Sequence, residues 1–124
     1  MYLIEFFFFP VIGEIARHRV SIHDIIFFEV MDNYLCFHVS PDAQLMIDGR
    51  TPNNFYLVKY TMDDFPFEKF QCFERLHKSY AVHRDHIKDV RKRKGGRIEL
   101  ISSAADVLPV SDTYSPGWKQ ILLF

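Results

Sequence analysis

Cysteine is scarce in this chain of 124 residues: there are two, Cys36 and Cys72. Two thiols do not make the disulfide framework of a small secreted scaffold, so reduced side chains in the cytoplasm are the simpler reading. Their expected places on a strand and a helix favour packing over redox sensing. Long apolar runs are lacking too. The longest, residues 6–12, lies between Glu5 and Gly13, far short of the roughly 20 residues of a membrane-spanning helix. The start has neither the basic stretch nor the small-residue cleavage site of a secretory signal. Neither sign of charge dominates, since 15 Lys and Arg stand against 16 Asp and Glu. Five glycines, six prolines and no internal repeat exclude collagen-like and low-complexity chains.

Aromatic side chains, by contrast, are plentiful. Thirteen Phe, six Tyr and one Trp make up 16% of the chain. Such residues pack well on a pleated surface, which leans the fold toward strands. The length fits one domain, residues 1–124, at the usual ~100–200 residues each. A chain of this size buries roughly two-thirds of its unfolded surface and needs no metal or disulfide staple.

Charge is unevenly spread. Residues 1–74 carry 5 basic and 11 acidic side chains, whereas residues 75–124 carry 10 and 5. Nine of the fifteen basic residues fall between Arg75 and Arg97, most densely at Arg91, Lys92, Arg93 and Lys94. One reading is a solvated hairpin tip. The other is an edge that faces a polyanion, because clustered Lys and Arg attract phosphate and release its counterions.

Short alternating segments recur between turn signals, an all-β pattern. Strands are expected at 5–9, 19–22, 25–30, 34–39, 55–61, 79–82, 87–91, 97–101 and 107–110, with a short one near 44–47. Leu35, Phe37 and Val39 should share one face. Asp32 and Asn33 signal a turn, and Gly95-Gly96 a two-residue hairpin. Between strands the period changes. Asp63 or Asp64 suits a helix N-cap, and Phe67, Phe70 and Phe73 recur every three residues. This predicts one internal helix of about ten residues. The tail, 118–124, reads as a short C-terminal helix.

Residues 73–87 read Phe-Glu-Arg-Leu-His-Lys-Ser-Tyr-Ala-Val-His-Arg-Asp-His-Ile. This resembles the signature of the LytTR (LytR/AlgR-type) DNA-binding domain family, Phe-x-Arg-x-His-Arg-Ser-Tyr/Phe-hydrophobic-Val-Asn followed by Ile. Phe73, Arg75, His77, Ser79, Tyr80, Val82 and Ile87 match. Asp24 to Glu29 with Asn33-Tyr34 is similar to the family's Asp-Ile-x-Tyr-Ile-Glu…Asn-Tyr element. Thr61-Met62 resembles its Thr-Leu, and Leu108 to Ser111 its Ile-Pro-Val-Ser. These elements occur in family order over about 19–114.

The resemblance implies a mainly β fold of small packed antiparallel sheets with one short internal helix and a short C-terminal helix. It implies a transcription regulator that reads double-stranded DNA through sheet-edge loops, in the cytoplasm. Asn33, His77 and Lys78 are the expected base-edge residues. Ser79, Arg84, Lys88, Arg91, Lys92 and Arg93 are expected at phosphates, while Tyr80 and Val82 anchor the loop in the core. Paired direct repeats, and so a homodimer on DNA, follow from the resemblance alone. Many family members carry a receiver domain or a membrane segment. This chain has room for neither, so the signal input is missing here or supplied in trans by a sensor or receiver partner, and the chain is the output module of a two-component, response-regulator-type regulator or a stand-alone regulator.

Three positions depart from the family pattern. Lys78 replaces an Arg and so offers a point charge instead of a fork. His83 stands where Asn is usual, and Asp112 where Arg is. The acidic first half, Lys78 and Asp112 leave a second reading open, a LytTR-derived protein-interaction module. Enzyme motifs are missing: no Gly-x-Ser-x-Gly, phosphate-binding glycine loop or His-Glu-x-x-His occurs. His77, His83 and His86 lack a Cys or carboxylate at zinc-site spacing, so neither a metal nor a cofactor is expected.

Overall fold

The computed structural model describes residues 6–10, 17–40, 55–111, 113 and 114. Its strands are β1 (Phe6–Pro10), β2 (Arg17–Ser21), β3 (Ile25–Met31), β4 (Tyr34–Val39) and β5 (Phe55–Val58), then β6 (Phe73–His77), β7 (Tyr80–His83), β8 (Ile87–Lys92), β9 (Ile98–Ser102) and β10 (Val107–Val110). All pairings among them are antiparallel. β1 pairs with β2; β5-β4-β3-β7-β6 form a five-stranded sheet; β10-β9-β8 form a three-stranded one. The architecture is mainly β, as composition and alternation predict.

The five-stranded sheet buries both faces. Side chains alternate across a strand, so each strand feeds two cores. One face carries Phe28, Leu35, Phe37, Val39, Val58, Phe73 and Ala81, closed over by Met62 and Phe65. Leu35, Phe37 and Val39 do share that face. The opposite face carries Phe27, Leu76 and Val82, which meet Leu100 and Leu108 of the three-stranded sheet. A bulge between Ile25 and Phe27 interrupts the alternation, so that Ile26 and Phe27, adjacent in β3, both feed this second core while Ile25 and Phe28 on either side feed the first.

The expected internal helix does not form. Residues 61–72 run through successive turns, with Asp64 N–H bonding both the carbonyl and the Oγ1 of Thr61 at 3.2 Å. The reason is Phe65. At 100° per residue, a helix would place Phe65 some 140–160° from Phe67 and Phe70. In the turns all three converge: the Phe65 ring centroid lies 4.9 Å from that of Phe67, edge to face, and 5.8 Å from Phe70 and 4.7 Å from Phe28, both tilted. Burying Phe65 with its neighbours outweighs the helical stripe. Beyond the turns lies β6, which the alternation did not predict. A bulge between Arg75 and His77 interrupts its register, so its buried residues, Phe73 and Leu76, are three apart. With Phe70 they mimic a helical period.

The β8–β9 hairpin also differs by one residue. Its last bonded pair is Arg93 and Arg97, leaving Lys94, Gly95 and Gly96 as a three-residue loop. Gly95 and Gly96 both take positive φ, +87° and +83°, which only glycine adopts without strain. The tail helix at 118–124, the strand near 44–47 and Asp112 fall outside the described residues.

Candidate nucleic-acid interface

The antiparallel register places two turns at one end of the five-stranded sheet. Asp32 and Asn33 join β3 to β4 by a two-residue turn closed by the Met31–Tyr34 pair. Asp32 sits at φ +54°, a left-handed conformation that Asp tolerates better than most residues. Lys78 and Ser79 join β6 to β7. Val30 N–H donates to Ser79 O at 2.9 Å, tying the two turns side by side. Asn33 and Lys78 are both exposed.

The third element approaches from the other sheet. At one end of that sheet, Ser103 N–H donates to His86 O, and the His86 ring bonds His23 O; both partners belong to the far end of the five-stranded sheet. At its other end, Ser111 N–H donates to Leu76 O at 2.6 Å, next to His77. Val110, Ile98 and Lys92 are aligned across the strands at that end. The 93–97 tip is therefore directed toward the end that carries Asn33 and Lys78. Arg91, Lys92, Arg93, Lys94 and Arg97 are all exposed there.

Fixed hydrogen bonds shape the Lys78 turn. His77 Nδ1 accepts from Ser79 N–H at 3.1 Å. That assigns the ring proton to Nε2 in the neutral imidazole, making it a donor. Arg75 is the hub that the motif alone does not explain. Its Nη2 donates to Lys78 O at 3.1 Å, its Nη1 meets Asp63 at 3.0 Å, and its guanidinium lies 4.4 Å from the Tyr114 ring centroid. The sequence flagged Arg75 only as a motif residue; two of its partners, Asp63 and Tyr114, are distant in the chain. The acidic groups here are partly neutralised. Arg75 holds Asp63, and Arg93 bonds Glu99. Asp32 is exposed beside Asn33.

Two of the expected phosphate residues lie elsewhere. Arg84 sits at the opposite end of the β6–β7 hairpin, with Nε and Nη2 both on Glu74 Oε2, at 3.1 and 2.7 Å. Lys88 is exposed at the far end of β8, within a register bulge. His83 is also remote. It is 1% exposed, and its Nδ1 accepts from Asp85 N–H at 3.1 Å, capping the turn at 84–86. An Asn carbonyl would do the same, so the His83 departure is a structural exchange. Burial pushes its imidazole below the ordinary value, with His86 adding to the effect and Asp85 opposing it. Cys36 is buried and Cys72 half-buried; both are free thiols, raised mainly by burial. Among the described residues, no helix is long and apolar enough to cross a membrane.

Comparison with known proteins agrees with this fold. The family model described as the LytTr DNA-binding domain matches residues 16–123. The chain is similar to a solved structure from Bacillus cereus, named as the LytTr DNA-binding domain of a methyl-accepting/DNA response regulator. That match has a TM-score of 0.69 at 18% identity and covers 98% of this chain and 99% of that one, a likeness of fold. No curated protein matches the chain at a significant level. The signature at 73–87, the sheet topology and the near end-to-end family match together show that this chain belongs to the LytTR family of DNA-binding domains.

Proposed function

We propose that the chain is the DNA-reading module of a transcription regulator, non-enzymatic, and that it grips double-stranded DNA with the end formed by three turns. The observation that carries this reading is the convergence of Asn33, Lys78 and the basic 93–97 tip at one end, from two different sheets. No recognition helix is needed. Turns on a rigid sheet edge present side chains to a groove while basic neighbours hold the backbone.

Asn33, His77 Nε2 and Lys78 are the base-edge residues in this reading. Asn suits adenine and Lys suits guanine O6/N7. Arg91, Lys92, Arg93 and Lys94 meet phosphate, and Ser79 Oγ adds a hydrogen bond. Lys88, at the far end of β8 and separated from Arg91 by Asp89 and Val90, reaches no more than a phosphate flanking this end. Arg84, tied to Glu74 at the other end, is left out. Family resemblance supports direct repeats, a homodimer on DNA and a response-regulator or other sensor input in trans.

The test compares duplex binding by two variants. Replacing Arg91, Lys92 and Lys94 together by Ala removes three phosphate contacts and should lower the salt slope by about three. Arg84→Ala should leave affinity and slope unchanged. Equal effects from both would contradict the placement of DNA at this end.

A further inference from the structure

The middle of β3 and β4 carries a cluster that DNA reading does not use. Glu29 and Cys36 are directly opposed in the β3–β4 ladder, and His38 follows on the same face two residues along β4. Cys36 Sγ lies 3.7 Å from His38 Nε2, and that nitrogen lies 2.9 Å from Glu29 Oε1. One donor atom from each residue falls within 4.8 Å of the other two. Cys36 is 1% exposed, whereas the His38 and Glu29 side chains are 23% and 26% exposed. We infer that Glu29, Cys36 and His38 form a binding site for one thiophilic divalent cation, zinc by its donor set, with water as the fourth ligand.

The donor chemistry selects the ion. A thiolate and an imidazole favour zinc over magnesium or calcium, which take oxygen. Tetrahedral zinc, with Zn–S of about 2.3 Å and Zn–N of about 2.0 Å, spaces sulfur and nitrogen by roughly 3.5 Å. The observed 3.7 Å is close to that. The His38–Glu29 pair must open by about half an ångström to admit the ion. Its environment is already fixed. Phe27 stacks on the His38 ring at 4.1 Å and 8°, and the Tyr80 hydroxyl hydrogen-bonds Glu29. Such outer contacts orient metal ligands. All three donors sit on paired strands, which holds them more tightly than loops would.

A dication between Cys36 and Glu29 turns that carboxylate from a repelling neighbour into a ligand and offsets the burial that otherwise disfavours the thiolate. The proton balance is simple. The ion takes the place of the His38 Nε2 proton, which moves to Nδ1 of the neutral ring, and Cys36 releases its thiol proton to solvent. Net release is one proton per ion. The group His23, His83 and Asp85 is a poorer candidate, because His83 Nδ1 already accepts from Asp85 N–H.

Cobalt(II) is the probe, added to the purified full chain. One equivalent should give a near-ultraviolet thiolate charge-transfer band and the intense visible bands of tetrahedral cobalt, both abolished by added zinc. Cys72→Ala should keep the spectrum and Cys36→Ala should lose the charge-transfer band. Glu29→Gln and His38→Gln preserve size and polarity, guarding against a fold defect in the cysteine variant; each should weaken binding by more than about tenfold. Absence of a charge-transfer band at millimolar cobalt would overturn the site. So would a band that survives Cys36→Ala or disappears in Cys72→Ala.

Discussion

Arg75 acts through other groups. It touches Lys78 O, Asp63 and the Tyr114 ring, and so fixes the turn that presents Lys78. Lys78→Ala should cost roughly 1–3 kcal/mol on the preferred duplex and far less on others, as a base contact does. A uniform loss with the salt slope lowered by about one would assign Lys78 to phosphate. Arg75→Lys keeps the charge but loses the two-armed fork, so it should weaken specific binding while leaving the salt slope unchanged. Fluorescence anisotropy on matched and mismatched duplexes measures both. His83 gives a second prediction at this scale. Its folded pKa lies below the ordinary 6.5. The unfolded chain therefore binds the proton first, and stability is complete above pH 6.5 and declines as pH falls below it. His83→Asn keeps the cap on Asp85 N–H and removes the titrating group. Urea unfolding at pH 7.5 and 5.5 should show a smaller loss in the variant than in the parent chain.

Elements follow residue patterns where alternation holds over most of the strand. The strands β4 and β10 match the alternation residue for residue, and β3 and β8 to within one residue, because their side chains alternate between a core and a second environment. Two elements were misread for one reason. In β6 a bulge spaces Phe73 and Leu76 by three, and in the turns before it Phe65, which a helix would turn away from the stripe, packs with Phe67 and Phe70 on Phe28. Local spacing cannot report a long-range ring contact. The turn reading makes its own prediction. Phe65→Ala, at a side chain 4% exposed, should cost about 3–5 kcal/mol. Phe67→Ala, half-buried at the rim, should cost clearly less. A helix carrying Phe67 as its core residue would reverse that order. The candidate site was legible in part. His77 and Lys78 stood in the signature and Asn33 in the separate Asn33-Tyr34 element, and their turns lie side by side, but Arg84 and Lys88 were read from basicity, and only the hairpin geometry shows how far from Lys78 they lie.

The whole molecule places the ends of two sheets together. Hydrogen bonds from His86 to His23 at one end and from Ser111 to Leu76 at the other clamp the three-stranded sheet across the five-stranded one. The clamp explains how a chain with net charge −1 can hold DNA: Arg91, Lys92, Arg93, Lys94 and Arg97 are gathered at one tip, while Asp63 and Glu99 are held by Arg75 and Arg93. About five phosphate contacts should make log affinity fall with log salt at a slope of about −4 to −5. The most direct measurement is selection of bound duplexes from a random pool, with sequencing, at two salt concentrations. The account predicts enrichment of a short motif and a steep loss of affinity at the higher salt. No enriched motif, together with affinity indifferent to salt, would contradict DNA reading at this edge.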